Sequence, residues 1–477
     1  MKKLLSVTLI IGLILSICSF CAVGTQAVSN YGVSYPTKDE IINKLKELDI
    51  DISLEDTYSK AYSIENSVPG ELDSKSQKRA LNFINLYRYI AGIPSDVTLN
   101  SEYSEYAQAA SLVNAANGSL SHYPDKPSGM SDSVYEKGYY GAGRCNIASG
   151  FDNISYTTMY GWMDDSYGGN IEHVGHRRWI LNPAMKQTGF GEVGSYSSMY
   201  SFDDSREGRF TGEYVAWPAP NTPLEMFAGS VFSVNLGDEY EDPTLSSIKV
   251  KLTSKTLGKT WNIDKNSGYD LYVENEYYGM PKCIIFKAVD FKAEDTITVK
   301  ISGIYKDGEE APIQYTVNLF ALSQISAERT TILMKPKTIA ETGVTASSKL
   351  MKGIPYIYWD FDADGAAFIT TEDQIYANKE GRCTITASIL HSYYVTMEVI
   401  VKDSEFLLGD CDGDDKLSVS DVTMIQRLMA GYRSSSLVEY LSDVDGDGDI
   451  GITDATAVQR YLAGIRTPYD VGVSQAA

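Results

Sequence analysis

The sequence predicts a multidomain exported chain: an α+β domain, two β-sandwich modules and a small repeated helical module. Two patterns predict this class. Helical spacing of apolar residues ends near Leu224, and alternating apolar runs separated by Gly, Asp and Asn follow it. An aspartate-rich stretch then occurs twice near the C-terminus. The 477 residues are too many for one core. A net charge of -22 argues against nucleic acid and anionic membranes as partners.

The first 27 residues are expected to be a signal peptide. Lys2 and Lys3 precede an apolar run over residues 4–23, and Thr25-Gln26-Ala27 resembles a cleavage site. A membrane anchor is the alternative, but no stop-transfer pattern follows. After signal removal we expect no integral membrane span and four scattered cysteines that form no disulfide framework. The mature protein is therefore expected to be secreted and extracellular.

Periodicity and turn signals divide the rest of the chain. Residues 28–75 are polar with one short helical pattern and are expected to be a linker, and residues 76–222 form the α+β domain. Residues 223–320 are predicted to form a β-sandwich and residues 321–403 a second one. In the second, "ANKEGRCTITAS" resembles bacterial immunoglobulin-like (Ig-like) modules, which are usually spacers, and His391 is expected to be structural.

The C-terminal module, residues 404–470, contains a duplicated aspartate loop. Asp410, Asp412 and Asp414 recur 443 − 410 = 33 residues later, and each loop ends in a further aspartate before an apolar helix. Oxygen ligands at alternate positions of one loop suit calcium, with a backbone carbonyl contributing as well. The predicted calcium residues are Asp410, Asp412, Asp414, Lys416 and Asp421 in the first loop and Asp443, Asp445, Asp447, Asp449 and Asp454 in the second. Gly448 suits the sharp turn at the sixth position, whereas Asp415 occupies that position in the first loop and is expected to weaken or strain it.

A solvated acidic tail would not repeat with helices attached, and an EF-hand would end its loop in Glu and place a helix before it. Loop followed by helix, twice, resembles the dockerin of cellulosome-type assemblies. The resemblance implies two calcium ions and a cohesin domain of a scaffold protein as partner, which would hold the chain at the cell surface. It also implies cohesin recognition by the pairs before the final aspartates, namely Val419, Ser420, Ile452 and Thr453.

The α+β domain contains a cluster of short motifs. "LSHY", "CNIASG", Trp162, "GHRRWILNP" and "TGFGEV" occur in an order that resembles the CAP (SCP-like) domain. The resemblance implies an α-β-α sandwich with a cleft of two histidines and two acids, which binds zinc or another divalent ion in some members. His122 and His176 match the histidines and Asp165 matches one acid, but Cys145 replaces the other acid.

The chemistry of this cleft stays open at the level of sequence. His122, His176, Cys145 and Asp165 could hold zinc, or they could form a hydrogen-bonded network. Cys145 could instead be a nucleophile, and Glu172 is a further candidate acid. The chain is accordingly predicted to be an accessory protein of polysaccharide breakdown whose cleft binds a small molecule, peptide or glycan. A peptide, ester or glycoside hydrolase that uses His122 and His176 is the second hypothesis, and a surface adhesin is the third.

Overall fold

The computed structural model describes residues 30–227, 229–291, 293–348, 350–353, 357–389, 393–403, 406–412, 414–432 and 436–475. The predicted signal peptide and His391 lie outside the described residues. Within the described part of the chain, no helix is both long and apolar enough to span a bilayer.

The α+β domain is built on a three-stranded antiparallel sheet. Tyr196–Tyr200 is the central strand, between Cys145–Ser149 and Phe190–Val193. Side chains alternate between the two faces of a strand. Cys145, Ile147 and Tyr200 accordingly contact Ala107 of helix Ser101–Asn117, whereas Ala148 and Met199 join the core that contains Trp162. Helices therefore cover both faces, which agrees with the expected α-β-α layers.

Close packing fixes the first of these layers. A Cβ atom at Gly191 would lie 2.2 Å from the backbone nitrogen of Gln108, so only glycine lets the strand approach helix Ser101–Asn117 this closely. The other helical segments are Ser74–Ile90, Asp132–Ala142, Ile154–Tyr156, the π-helical Thr157–Met163, the 3₁₀ segment Gly168–Glu172 and Gly175–Ile180. The shorter strands pair Tyr58–Lys60 with Glu71–Leu72 and Thr98–Leu99 with Gln187–Thr188.

Residues 30–75 pack as part of the core, unlike the linker predicted for 28–75. The predicted helix is present as Lys38–Leu48, with Thr37 and Glu40 forming a capping box. Ile41, Leu45 and Ile52 are fully buried in the core shared with the α+β domain. The prediction of a linker followed from the polar composition, but the few apolar residues lie on one face of the helix and are covered by the rest of the chain.

The first sandwich begins before the predicted boundary at 223. One sheet has the order Asp270–Glu274, Cys283–Lys287, Phe232–Leu236 and Tyr214–Trp217. The other has the order Lys259–Ile263, Lys249–Ser254, Asp295–Ser302, Ile313–Phe320 and Asn221–Pro223. A helical turn, Leu224–Phe227, and a hairpin, Tyr305–Lys306 with Glu309–Glu310, complete it. Strands Tyr214–Trp217 and Asn221–Pro223 belong here because their pairing partners lie further along the chain, which local periodicity does not reveal.

The second sandwich has its own core around Ile385, Met397 and Val399. Its sheets run Thr331–Met334, Tyr393–Val401, Gly381–Ile389 and Ile357–Asp360, and Ile339–Glu341, Gln374–Ala377 and Ala367–Ile369, with Ser323–Ala327 paired to Val344–Ser348. The C-terminal module consists of helices Val419–Met429, Ser436–Ser442 and Ile452–Leu462. The first and third pack together through a separate small core that includes Ile425 and Val458. This arrangement confirms the predicted multidomain class.

Candidate functional site

Each predicted calcium loop gathers three carboxylates. In the first loop, Asp410, Asp412 and Asp414 each present an oxygen within 4.8 Å of the others, and Asp443, Asp445 and Asp447 do the same in the second loop. Equivalent backbone amides bond to the first aspartate of each loop: Asp415 N–H donates to Asp410 Oδ2 at 2.9 Å, and Gly448 N–H donates to Asp443 Oδ2 at 3.1 Å. The loops therefore have nearly the same geometry.

The final aspartate of each loop is buried and bonded to the backbone. Asp421 Oδ1 accepts from Cys411 N–H at 2.8 Å, and Asp421 Oδ2 accepts from Ser418 N–H at 2.7 Å. Asp454 repeats this with Val444 at 2.6 Å and Gly451 at 2.7 Å. Each of these aspartates thus ties the start of its loop to the start of the following helix, in addition to its predicted role as a ligand.

The donor set of both loops fits a hard cation. Each cluster consists of carboxylate oxygens. Lys416 and Asp449 occupy the loop position at which calcium-binding loops contribute a backbone carbonyl oxygen. Burial and the charge of Asp454, followed by those of Asp447 and Asp443, raise the pKa of Asp445. This repulsion is what a bound cation would relieve.

The residues predicted to face a partner lie at the start of the two packed helices. Val419 is 74% exposed and Ile452 is 64% exposed, although both are large apolar residues. Ser420 and Thr453 are exposed beside them, and the Ser420 hydroxyl donates to Asp412 of its own loop. An exposed apolar residue recurring at equivalent places of a repeat is typical of a contact surface.

In the α+β domain the structure brings His176 and Asp165 together. Asp165 Oδ1 lies 2.8 Å from His176 Nδ1, and Asp165 Oδ2 accepts from the His176 backbone N–H at 2.9 Å. Burial lowers the pKa of His176, but the charge of Asp165 and this hydrogen bond outweigh burial, so the pKa is raised. Asp165 and Val174 adopt left-handed backbone with φ of 49° and 42°. Such strain in non-glycine residues often marks functional sites.

His122 is the second histidine of this cleft. Its Nδ1 lies 2.7 Å from the carbonyl oxygen of Ala142, which ends helix Asp132–Ala142. Burial lowers the pKa of His122; the bond to Ala142 partly opposes this, and the charge of His176 lowers the pKa further. The charge of one imidazole therefore affects the pKa of the other. Because the Nδ1 atom of each ring is hydrogen-bonded, Nε2 is the atom that can contact a ligand.

Cys145 and Glu172 do not join these histidines. Cys145 faces helix Ser101–Asn117, whereas the next residue, Asn146, donates to the His176 carbonyl at 2.9 Å on the opposite face of the strand. Burial raises the pKa of the Cys145 thiol, so it stays protonated at neutral pH and is a poor nucleophile or zinc ligand. Glu172 is exposed. Burial, followed by the charges of Asp270 and Glu172, raises the pKa of Tyr272 in the first sandwich.

The residues of the histidine cleft do not fit zinc. Among the described residues, groups of three or more His, Cys, Asp or Glu with ligand atoms within 4.8 Å of one another occur only in the two aspartate loops. His122 and His176 therefore lack the third protein ligand that a zinc site requires.

Sequence reasoning missed how tightly this site is bound to the first sandwich. Arg177 is fully buried and donates to the carbonyls of Met163 at 2.7 Å and Val231 at 2.8 Å and to Ser233 Oγ at 3.1 Å. His173 Nδ1 contacts the carboxylate of Glu274 across the same junction. The first sandwich therefore positions the helix Gly175–Ile180 that carries His176. The Arg-Arg pair after His176 was the available signal.

A separate groove lies away from the histidines. A groove of about 1060 Å³ is lined by helix Ser101–Asn117, the start of Ser74–Ile90 and the hairpin of Tyr58–Lys60 with Glu71–Leu72. The pairs Lys60–Glu71 and Lys137–Glu105 lie along it. None of the residues predicted for the cleft lines this groove.

Comparison with known proteins identifies two regions. A model of the cysteine-rich secretory protein family, CAP, matches residues 81–214, and a model of the dockerin type I domain matches residues 408–463. No curated protein matches the chain significantly.

The solved structures that match parts of the chain do so at low identity and low TM-score. The N-terminal part of the bacterial S-layer protein SbsC is 14% identical over 36% of this chain and 41% of its own, with a TM-score of 0.16. A C-terminal 282-residue fragment of intimin is 12% identical over 56% and 95%, with a TM-score of 0.18. The Ig1-2 module of Drosophila DLAR is 11% identical over 36% and 90%, with a TM-score of 0.16. The match thus spans less than half of the SbsC fragment.

Two independent family matches thus coincide with the two sites described above. The chain is a multidomain protein that combines a CAP domain with β-sandwich modules and a C-terminal dockerin type I domain.

Proposed function

We propose that this protein is a secreted component of a cellulosome-type assembly. Its dockerin binds two calcium ions and docks on a cohesin domain of a scaffold protein, which holds the chain at the cell surface. Its CAP domain serves as a ligand-binding accessory module in polysaccharide breakdown. The observation that carries this proposal is the duplicated loop, in which three carboxylates converge before a helix that exposes Val419 or Ile452.

Calcium titration of the chain without residues 1–27 tests the first step. Calorimetry should find two sites, and Asp412→Asn and Asp445→Asn should each remove one because each deletes a charged ligand. Asp242→Asn, an exposed aspartate of the first sandwich, is the matched control and should leave both sites. Equal stoichiometry in all four proteins would refute the assignment of the ligands.

Capture by an immobilised type I cohesin tests the second step. Capture should require calcium and should disappear when Val419→Asp and Ile452→Asp are combined, since both place a charge where an apolar contact is proposed. Either single variant should retain binding, because the repeat offers the other helix. Capture that survives the double variant would move the partner surface elsewhere on the module.

The CAP cleft is proposed to bind a small molecule, a peptide or a glycan through His122 and His176. Support comes from their engaged Nδ1 atoms, which fix both rings and leave Nε2 available. Xylan and cellulose oligosaccharides and short peptides are suitable probes for NMR titration of the imidazole signals. Movement of both histidines by one probe class would assign the ligand, and no movement with any class would remove the cleft from consideration.

A hydrolase is the second candidate, and the His176–Asp165 pair is the observation that favours it. A histidine whose pKa is raised by a buried carboxylate can hold a proton for general acid catalysis. Purified chain should then cleave a peptide, ester or glycoside substrate, and His176→Ala should abolish this whereas His173→Ala should not. Hydrolysis that persists in His176→Ala would point to a contaminant or to another site.

A further inference from the structure

The first calcium loop contains a residue that its backbone does not favour. Asp415 occupies the place of Gly448 in the second loop, and its φ is 64°, in the left-handed region that suits glycine. Its backbone N–H makes the same bond as that of Gly448. The loop geometry alone therefore gives no reason for an aspartate side chain here.

The side chain of Asp415 contacts the preceding module. Lys402 Nζ lies 2.9 Å from Asp415 Oδ1, and the lysine side chain is 22% exposed. Lys402 directly follows strand Tyr393–Val401, and its backbone N–H donates to the Met334 carbonyl at 3.2 Å. The lysine is thus fixed to the second sandwich, and the ion pair joins that sandwich to the first calcium loop.

An apolar contact lies next to this ion pair. Leu333 and Ile400 of the second sandwich form one cluster with Phe406 and Leu441 of the dockerin, and all four are buried. The Lys402 ammonium lies 4.8 Å from the centre of the Phe406 ring. Leu441 belongs to helix Ser436–Ser442, which ends immediately before the second loop. The junction between the two modules therefore includes a residue of the first loop, Asp415, and the helix that leads into the second loop.

We propose that Asp415 and Lys402 form a calcium-dependent latch between the dockerin and the second sandwich, an inference that rests on the proposed calcium binding. Without a cation, the clustered carboxylates of the first loop repel one another and favour an open loop, which moves Asp415 away from Lys402. A bound cation closes the loop and keeps Asp415 within reach. Calcium thus fixes the orientation of the dockerin relative to the second sandwich, in addition to folding the dockerin. In the second loop, Gly448 has no side chain for such a contact.

Hydrogen exchange of the chain without residues 1–27, with and without calcium, tests the latch. In the wild type, calcium should slow exchange in strands Thr331–Met334 and Tyr393–Val401, by roughly twofold to fivefold for one partly exposed ion pair. Asp415→Gly and Lys402→Met should both lose this slowing. Asp415→Gly should still bind calcium, since glycine suits the sixth loop position. Lys379→Met removes an exposed lysine of the same sandwich and should behave as wild type.

The dockerin peptides in the same samples separate the possible failures. If calcium does not protect helices Val419–Met429 and Ile452–Leu462 in the wild type, the calcium proposal itself is refuted. If it protects them but slows the sandwich strands equally in all four proteins, the latch is refuted and the apolar contact alone joins the modules. The slowing should also become smaller in about 1 M salt, where the screening length falls to ~3 Å.

Discussion

Replacement of Arg177 by methionine tests whether the CAP domain and the first sandwich form one folding unit. Arg177 is fully buried at their junction, next to His176. Its guanidinium donates to Met163 and Asp164 on the CAP side and to Ser230, Val231 and Ser233 on the sandwich side. Methionine keeps most of the side-chain volume but provides no donor. The variant therefore removes the hydrogen bonds of the junction while leaving the apolar core in place.

The expected loss of stability follows from the acceptors left behind. A buried acceptor without a partner costs about 1–3 kcal/mol, and Arg177 serves several carbonyl and hydroxyl oxygens. Burial also lowers the pKa of Arg177, which shows that the buried charge has a cost of its own. Removing that charge offsets part of the loss. We therefore expect Arg177→Met to reduce the free energy of unfolding by about 3–5 kcal/mol, as when one partner of a buried network is deleted.

Urea unfolding followed by tryptophan fluorescence measures this loss. The chain has five tryptophans, and only Trp359 lies outside the CAP domain and the first sandwich. Arg209→Met is the matched control, because Arg209 forms an exposed ion pair with Asp238 and should change stability by about 1 kcal/mol or less. Equal effects of the two variants, or separate unfolding of the CAP domain in the wild type, would refute the single folding unit.

Three further outcomes are expected. Asp165→Asn should lower the pKa of His176, measured by NMR, because it removes the carboxylate that raises it, and an unchanged value would refute the pairing. Burial, followed by the charge of Asp56, raises the pKa of Glu192 to about 8, so folding keeps a proton that the unfolded chain releases. Unfolding free energy should then fall by about 1.4 kcal/mol per pH unit from roughly pH 4.5 to 8, and Glu192→Gln should flatten this slope in urea titrations. Elemental analysis should find calcium but no stoichiometric zinc, and His122→Ala should not change the metal content.

Much of the dockerin could be predicted from sequence because its proposed calcium ligands are neighbours in the chain. Asp410, Asp412 and Asp414 converge within a few residues, and the repeat at Asp443 gives an independent second example. The role of Asp415 could not be predicted in the same way. Its partner Lys402 belongs to another module, and no local pattern indicates which strand end will face a loop.

The CAP cleft could be predicted only in part, because its residues are far apart in the chain. His122, Asp165 and Cys145 were candidates because a motif placed them in order, but order does not specify the face of a strand. Side chains alternate along Cys145–Ser149, so Asn146 contacts His176 and Cys145 faces the opposite helix. This alternation leaves the histidines without a thiolate, a conclusion that requires the register of the sheet.

The packing of the segment before the CAP domain could not be predicted from sequence either. Ile41 and Leu45 predicted a helix correctly, but whether that helix packs on a domain depends on surfaces formed by distant residues. The amino-acid sequence alone thus determined the order of the modules, the cation loops and their helices, since these depend on local spacing. Tertiary structure decided how the CAP domain, the sandwiches and the dockerin join. Those junctions depend on the contacts of Arg177, Lys402 and Phe406, whose partners become neighbours only after folding.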